Sequence, residues 1–118
     1  MHRFAHHSLD CFVVAREALA LGHALVGQWP RGNAALGDQL RRALLGSYLQ
    51  LSEAAARSGA DRTQRFRIAR AEASEAAAAI EAAVILGLSS AQQGEQLLGL
   101  LDRQCAMLTR LGGFGRGK

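Results

Sequence analysis

Glu72 and Glu75 stand on adjacent turns of an alanine-rich stretch, and carboxylates so placed are half of what a helical bundle needs to hold a pair of metal ions. The other half is inward Glu and Glu-x-x-His motifs from several helices. No Glu-x-x-His occurs in the chain, and His23 has no carboxylate partner in such a motif. His7 and Cys11 are four residues apart and would face one metal, but two ligands fall short of a closed four-coordinate centre. Ser47 and Ser52 lack an accompanying His and Asp frame, and no glycine-rich phosphate loop lies between a strand and a helix. The expectation is a protein without enzymatic activity, and with no cofactor and no metal.

The remaining charged residues suit contact rather than catalysis. Arg41, Arg42, Arg57, Arg62, Arg65, Arg67 and Arg70 outnumber the acids between them and predict a basic rim around the turn from the second to the third helix. Of these, Arg41, Arg62, Arg65, Arg67 and Arg70 are the candidate contacts to a nucleic-acid backbone; a solvated face with ion pairs one turn apart is the competing interpretation. Arg42, Glu53, Arg57, Glu72 and Glu75 lie on flanks of the same two helices and predict ion pairs, within a subunit or across a subunit contact. A formal charge of +4 and a pI near 10.0 permit an acidic partner without requiring one.

These residues need a scaffold, and the spacing of apolar positions supplies one. Leu36, Leu40, Leu44, Ser47, Leu51 and Ala54 fall on one face of a helix running to about Arg57. Leu45 and Leu49 point the opposite way, where a lone bundle would present charge, which predicts a partner surface. A first helix is expected after Ser8, a good capping residue, running to about Gly27 with Phe12, Ala15, Leu19, Gly22 and Val26 inward. Pro30 prevents continuation, and Trp29 is placed to plug the end of the bundle. Ser58 and Gly59 break the second helix, and Asp61 with Gln64 has the form of a capping box for the third. That helix, to about Leu86, buries Phe66, Ala69, Ala73, Ala76, Ile80 and Val84, with alanines that permit close helix approach. Gly87 ends it, Ser89 or Ser90 caps a fourth, and Leu97, Leu100, Leu101, Gln104, Leu108 and Leu111 face inward until Gly112 and Gly113.

Four helices with short links predict an all-α fold, an antiparallel up-down-up-down four-helix bundle. The 118 residues suffice for one domain, 1–118, with flexible ends at 1–7 and 112–118. MHRFAHH lacks the apolar core of a signal peptide, and no apolar run approaches the roughly 20 residues that span a bilayer, so a cytoplasmic protein with no membrane partner is expected. Cys11 and Cys105 sit within helical patterns and are expected to be reduced.

Trp29-Pro30 followed by L-x-x-Q-L-R-R-A over Leu36–Ala43, then Glu53 and Arg57, resembles the bacterial four-helix-bundle family encoded in intervening sequences of large-subunit ribosomal RNA genes, whose relatives accompany diversity-generating retroelements. The likeness runs from Leu9 to about Leu88 through Phe12, Ala15, Gln39, Arg42 and Ala43, and again through Phe66, Ala69, Arg70, Glu75 and Gly87. It departs from the family pattern at Gln50, Ala54, Ala71 and Glu72. The resemblance implies a homo-oligomer, a five-fold ring of bundles (a pentamer), and a retroelement-type accessory that binds a reverse transcriptase and RNA or DNA. The expected function is an oligomeric helical-bundle adaptor for nucleic acid or for an enzyme acting on it. The alternative is a protein-only structural scaffold.

Overall fold

A computed structural model describes residues 2–113, the side chains of His7 and Ser8 excepted. Four helices follow one another: α1 over Asp10–Gly27, α2 over Ala34–Ala55, α3 over Gly59–Ile85 and α4 over Ala91–Leu111. Each packs against its neighbours in sequence and α4 closes back on α1, which leaves α1 diagonal to α3 and α2 diagonal to α4. This is an all-α four-helix bundle with up-down-up-down packing. No helix among the described residues is long and apolar enough to cross a membrane.

The links explain the helix ends. Trp29 and Pro30 end the first pair's approach, and Asn33 Nδ2 donates to the Pro30 carbonyl at 2.8 Å, tightening the turn into α2. Trp29 Nε1 reaches over the end of the bundle and donates to Ser89 Oγ at 2.8 Å. Gly87 takes a φ of +77°, and the Leu88 N–H donates to the Ala83 carbonyl at 2.8 Å, the left-handed closure that satisfies the last carbonyls of α3. Ser90 and Gln93 then form a capping box at α4, as one of the two serines was expected to do.

Two expected caps are replaced. The chain enters α1 through Leu9 in extended backbone, with no side-chain cap, after a 3-10 turn over Ala5–Ser8. That turn overlaps residues 1–7, the stretch expected to be flexible, and it sets His6 against Phe12 and Tyr48. The cap of α3 is Ser58 rather than Asp61, also without a side-chain bond. Asp61 sits inside the first turn, where its carboxylate is taken by Arg57 and Arg65. The tail from Phe114, expected to be flexible, lies outside the described residues.

The core divides in two. One cluster holds Leu40, Leu44, Ile80, Leu97 and Leu101 with the alanines of α3. The other holds Cys11, Phe12, Leu51, Phe66 and Leu108, nearer the α2–α3 turn. Between them lies a polar layer: Ser47 Oγ donates to the Ala69 carbonyl at 2.7 Å, and Gln104 Nε2 donates to Ser47 Oγ at 2.7 Å across the α2–α4 diagonal. Gln104 Oε1 is buried with no donor. Small residues let the helices close in, since a Cβ on Gly22 would collide with Leu44, which packs directly over α1. Most of the expected inward positions are buried: Leu40, Leu44, Ser47, Leu51 and Ala54 in α2, Phe66, Ala69, Ala73, Ala76 and Ile80 in α3, and Leu97, Leu101, Gln104 and Leu108 in α4, with Leu36, Val84, Leu100 and Leu111 half-buried. In α1 Phe12, Ala15 and Gly22 are buried, but Leu19 and Val26 are half-buried while Val14, Ala18 and Leu25 are buried.

Candidate functional site

Arg57, Arg62, Arg65, Arg67 and Arg70 all belong to the α2–α3 turn and the first half of α3, with Glu53 and Asp61 as the acids of that span. Arg57 bridges the two helices, with Nη2 2.8 Å from Glu53 Oε1 and Nη1 3.2 Å from Asp61 Oδ2. Arg65 extends the chain of charges: its Nε is 3.2 Å from Asp61 Oδ1, and its guanidinium reaches Gln50 Oε1 at 3.3 Å. The carboxylates and Arg57 are about half exposed, so each pair contributes at most about 1 kcal/mol, and the network fixes the turn more than it stabilises the fold.

Further arginines of α3 point elsewhere. Arg62 lies over the Phe66 ring, 5.1 Å from its centroid. Arg67 Nε donates to the Gly112 carbonyl and Arg70 Nε to Thr109 Oγ1, each at 2.8 Å, so both stand along α4. Arg41 is not part of this end. It lies about 20 Å along α2 from the turn, taking 1.5 Å per residue, where its Nε donates to His23 Nδ1 at 3.2 Å. The seven-arginine rim is therefore a five-arginine end plus Arg41 and Arg42 near the middle of α2.

Glu72 and Glu75 share a groove with Gln39 and Arg42 between α2 and α3. Glu72 lies against Gly46, where a Cβ would run into its carboxylate. Burial, and then the neighbouring Glu75 charge, raise the Glu72 carboxyl above its ordinary range. No ion pair within 4 Å joins Arg42 to either glutamate, so of the five residues expected in ion pairs only Glu53 and Arg57 make one among the described residues. Among the described residues no three His, Cys, Asp or Glu side chains gather as a metal site. The Cys11 thiol is buried in the core and pushed up to about 11 by that burial, so it is held as an uncharged thiol. The His7 side chain of the suggested His7–Cys11 pair lies outside the described residues.

Leu45 and Leu49 lie on the outer face of α2 and are 46% and 50% exposed, as the spacing predicts. Phe12 packs on Tyr48 and His23 meets Arg41, which places the α1 stripe of Phe12, Arg16 and His23 beside α2. Arg16 and Arg42 are both exposed, and on the α3 side the Glu72 carboxylate packs against Gly46, between the two leucines in sequence.

On the opposite side of the bundle, α3 and α4 leave two adjoining depressions of about 450 and 570 Å³. They share Glu81, Glu95 and Leu98, and extend from Ser74 and Cys105 to Ile85 and Ala91. Asp102 adds a third carboxylate, and no arginine or lysine lines either depression. The sequence contains the signal for this groove, because Glu95 and Asp102 recur after seven residues around Leu98 and Gly99. Without knowing that Ala77, Ala78 and Glu81 of α3 face them, it reads as an ordinary solvated helix. No protein-family model matches this chain, and no curated protein matches it in sequence.

Proposed function

We propose that this chain is a non-enzymatic, cytoplasmic helical-bundle adaptor that assembles with copies of itself and presents its arginine-rich end to nucleic acid. The observation that carries the proposal is the gathering of five arginines against two carboxylates over residues 53–70, at one end of a bundle whose α2 also exposes Leu45 and Leu49. The resemblance of the Trp29-Pro30 and L-x-x-Q-L-R-R-A segments to the ribosomal-intervening-sequence and retroelement-accessory family supports the same interpretation. It adds a five-membered ring and a reverse transcriptase as the expected assembly and partner. Repeating one arginine end around an assembly joins weak phosphate contacts through a high effective concentration.

With only 5% aromatic residues and no base-reading module, binding is governed by phosphates and is largely independent of sequence. Fluorescence anisotropy with labelled RNA, single-stranded DNA and duplex DNA tests this across a salt series. Affinity falls steeply with salt, by about 0.9 in the log–log slope for each duplex phosphate neutralised. Arg62→Glu flattens the slope with helicity retained, because Arg62 holds no carboxylate in the turn network. A protein-only scaffold is the second reading, favoured by the intramolecular bonds of Arg57, Arg65, Arg67 and Arg70. It is the conclusion if no salt-sensitive binding to any of the three probes occurs at low ionic strength.

A further inference from the structure

The seam between α3 and α4 is apolar along its floor and acidic at its edges. Ala77 and Ala78 of α3 and Leu98 and Gly99 of α4 make the floor, and a Cβ added at Gly99 would meet nothing. Ile85, 83% exposed, continues the apolar surface to the end of α3. Glu81 and Glu95 line both depressions, so they edge the seam from α3 and from α4 where the two meet. Asp102 follows Glu95 after about two turns of α4. The nearest cations are not part of the lining. Arg70 donates to Thr109 Oγ1, beyond Cys105, and Arg103 lies about 100° farther round α4 than Asp102. The groove extends over residues 91–105 of α4, about 21 Å at 1.5 Å per residue.

We propose that the α3–α4 groove seats a cationic amphipathic helix of a partner protein, with the apolar face of that helix on Leu98 and Gly99 and its lysines or arginines meeting Glu81, Glu95 and Asp102. A helix fits where an extended peptide does not. The floor is side chain over helices whose backbone groups are already paired, and an incoming helix satisfies its own N–H and C=O groups. About 14 residues, roughly four turns, cover the length of the groove. Glu95 and Asp102, seven residues apart, match two basic residues at the same spacing on one flank of that helix, and Glu81 matches one on the other flank. Alanine and glycine in the floor let its axis come close, while the aliphatic stems of its basic residues cover the apolar margin and carry their charges to the carboxylates. The exposed leucines of this chain do not supply such an occupant, since Glu72 packs on Gly46 between Leu45 and Leu49 and would set a like charge against the acidic edges. The seat lies on a different part of the bundle from the arginine end and needs neither nucleic acid nor a second copy, so its failure leaves the proposed function standing.

Fluorescence anisotropy with a labelled, stapled helical peptide of about 15 residues tests the seat. One face of the peptide is leucine, and lysines stand on both flanks at the spacing given above. A glutamate version and a scrambled version of the same composition serve as controls. Wild type is expected to bind the lysine peptide roughly tenfold or more tightly than either control. Glu95→Arg with Asp102→Arg is expected to reverse the preference in favour of the glutamate peptide. Gly99→Leu fills the middle of the floor without changing charge and is expected to weaken the lysine peptide by a similar factor. All three positions are exposed, and far-ultraviolet circular dichroism checks that both proteins fold. Failure of the lysine peptide to bind overturns the proposal, as does equal binding of the scrambled peptide, which has the charge and lacks the apolar face. A groove-reversed protein that still prefers the lysine peptide overturns it too. Light scattering after gel filtration covers the remaining occupant: a groove-reversed protein of lower mass than wild type gives the groove to a second copy and overturns the proposal.

Discussion

Replacing Ser47 by alanine should destabilise the bundle more than replacing Gln104 by methionine, although glutamine is the larger side chain and both are only 1% exposed. The reason is which groups are left without partners. Ser47→Ala removes the acceptor for Gln104 Nε2 and the donor to the Ala69 carbonyl, and the whole carboxamide stays buried. A buried polar group stripped of its partner costs about 1–3 kcal/mol. For a chain of this length that is a fall of about 4 °C in Tm per kcal/mol. Gln104→Met removes the entire carboxamide, including Oε1, which has no donor to lose. It keeps the side-chain volume and leaves Ser47 bonded to Ala69, so its stability should lie within about 1 kcal/mol of wild type or above it. In the Gln104→Met background, Ser47→Ala should cost less than it does alone, giving a coupling energy of about 1–2 kcal/mol. Urea and thermal melts followed by far-ultraviolet circular dichroism measure all four proteins. Protein concentration is held constant, because any self-association would shift the midpoint. A Gln104→Met protein less stable than Ser47→Ala, or strictly additive effects, would refute the account of the polar layer.

Two further outcomes separate the roles of small and charged residues. Gly22→Ala places a methyl group into Leu44 at the centre of the bundle and should cost about 1–3 kcal/mol, whereas Gly99→Ala meets open space and should gain up to about 1 kcal/mol from helix propensity; thermal melts of the pair check the contrast. Glu72→Gln should raise stability at neutral pH, because burial and Glu75 disfavour the Glu72 carboxylate in the folded chain. Its folded pKa is raised, so wild type is penalised above that pKa and relieved as pH falls through it; the advantage of Glu72→Gln should shrink on acidification. An advantage that is constant from neutral to acidic pH would assign it to something other than charge.

Most of the fold was legible in the sequence because the punctuation is strong. Pro30, Gly87 and the Ser90–Gln93 box act locally, and each ends or starts a helix through bonds made within a few residues. The inward faces were legible only where polarity contrasts. In α2 the alternation of leucine with charged residues fixes the stripe. In α1 apolar residues occur on every face, and in α3 alanine does, so periodicity could not distinguish Leu19 from Ala18 or Val84 from Ala83. Asp61 misled for a related reason: its spacing to Gln64 fits a cap, but Arg57 and Arg65, one turn away on either side, compete for its carboxylate. The site depends more on contacts distant in sequence. Arg67 reaches Gly112 and Arg70 reaches Thr109 only because α3 and α4 are adjacent, and no spacing within α3 indicates it.

The same residues that let the core close also leave the outer groove open. A helix carrying alanine on every face brings its inward alanines, Ala69, Ala73, Ala76 and Ala83, into close contact with its neighbours. Its outward ones, Ala77 and Ala78, then extend too little to cover the seam with α4. Glycine at positions 94 and 99 does the same from the other side, with Gly94 packed beneath Val84 and Gly99 left uncovered. Long side chains return only at the rim, and there all are carboxylates except the aliphatic Leu98 and Ile85. A core of small side chains buries little area per residue, and burial scales at about 25 cal/mol for each square ångström. Leu45, Leu49 and Ile85, at 46%, 50% and 83% exposure, add little to that burial within the bundle.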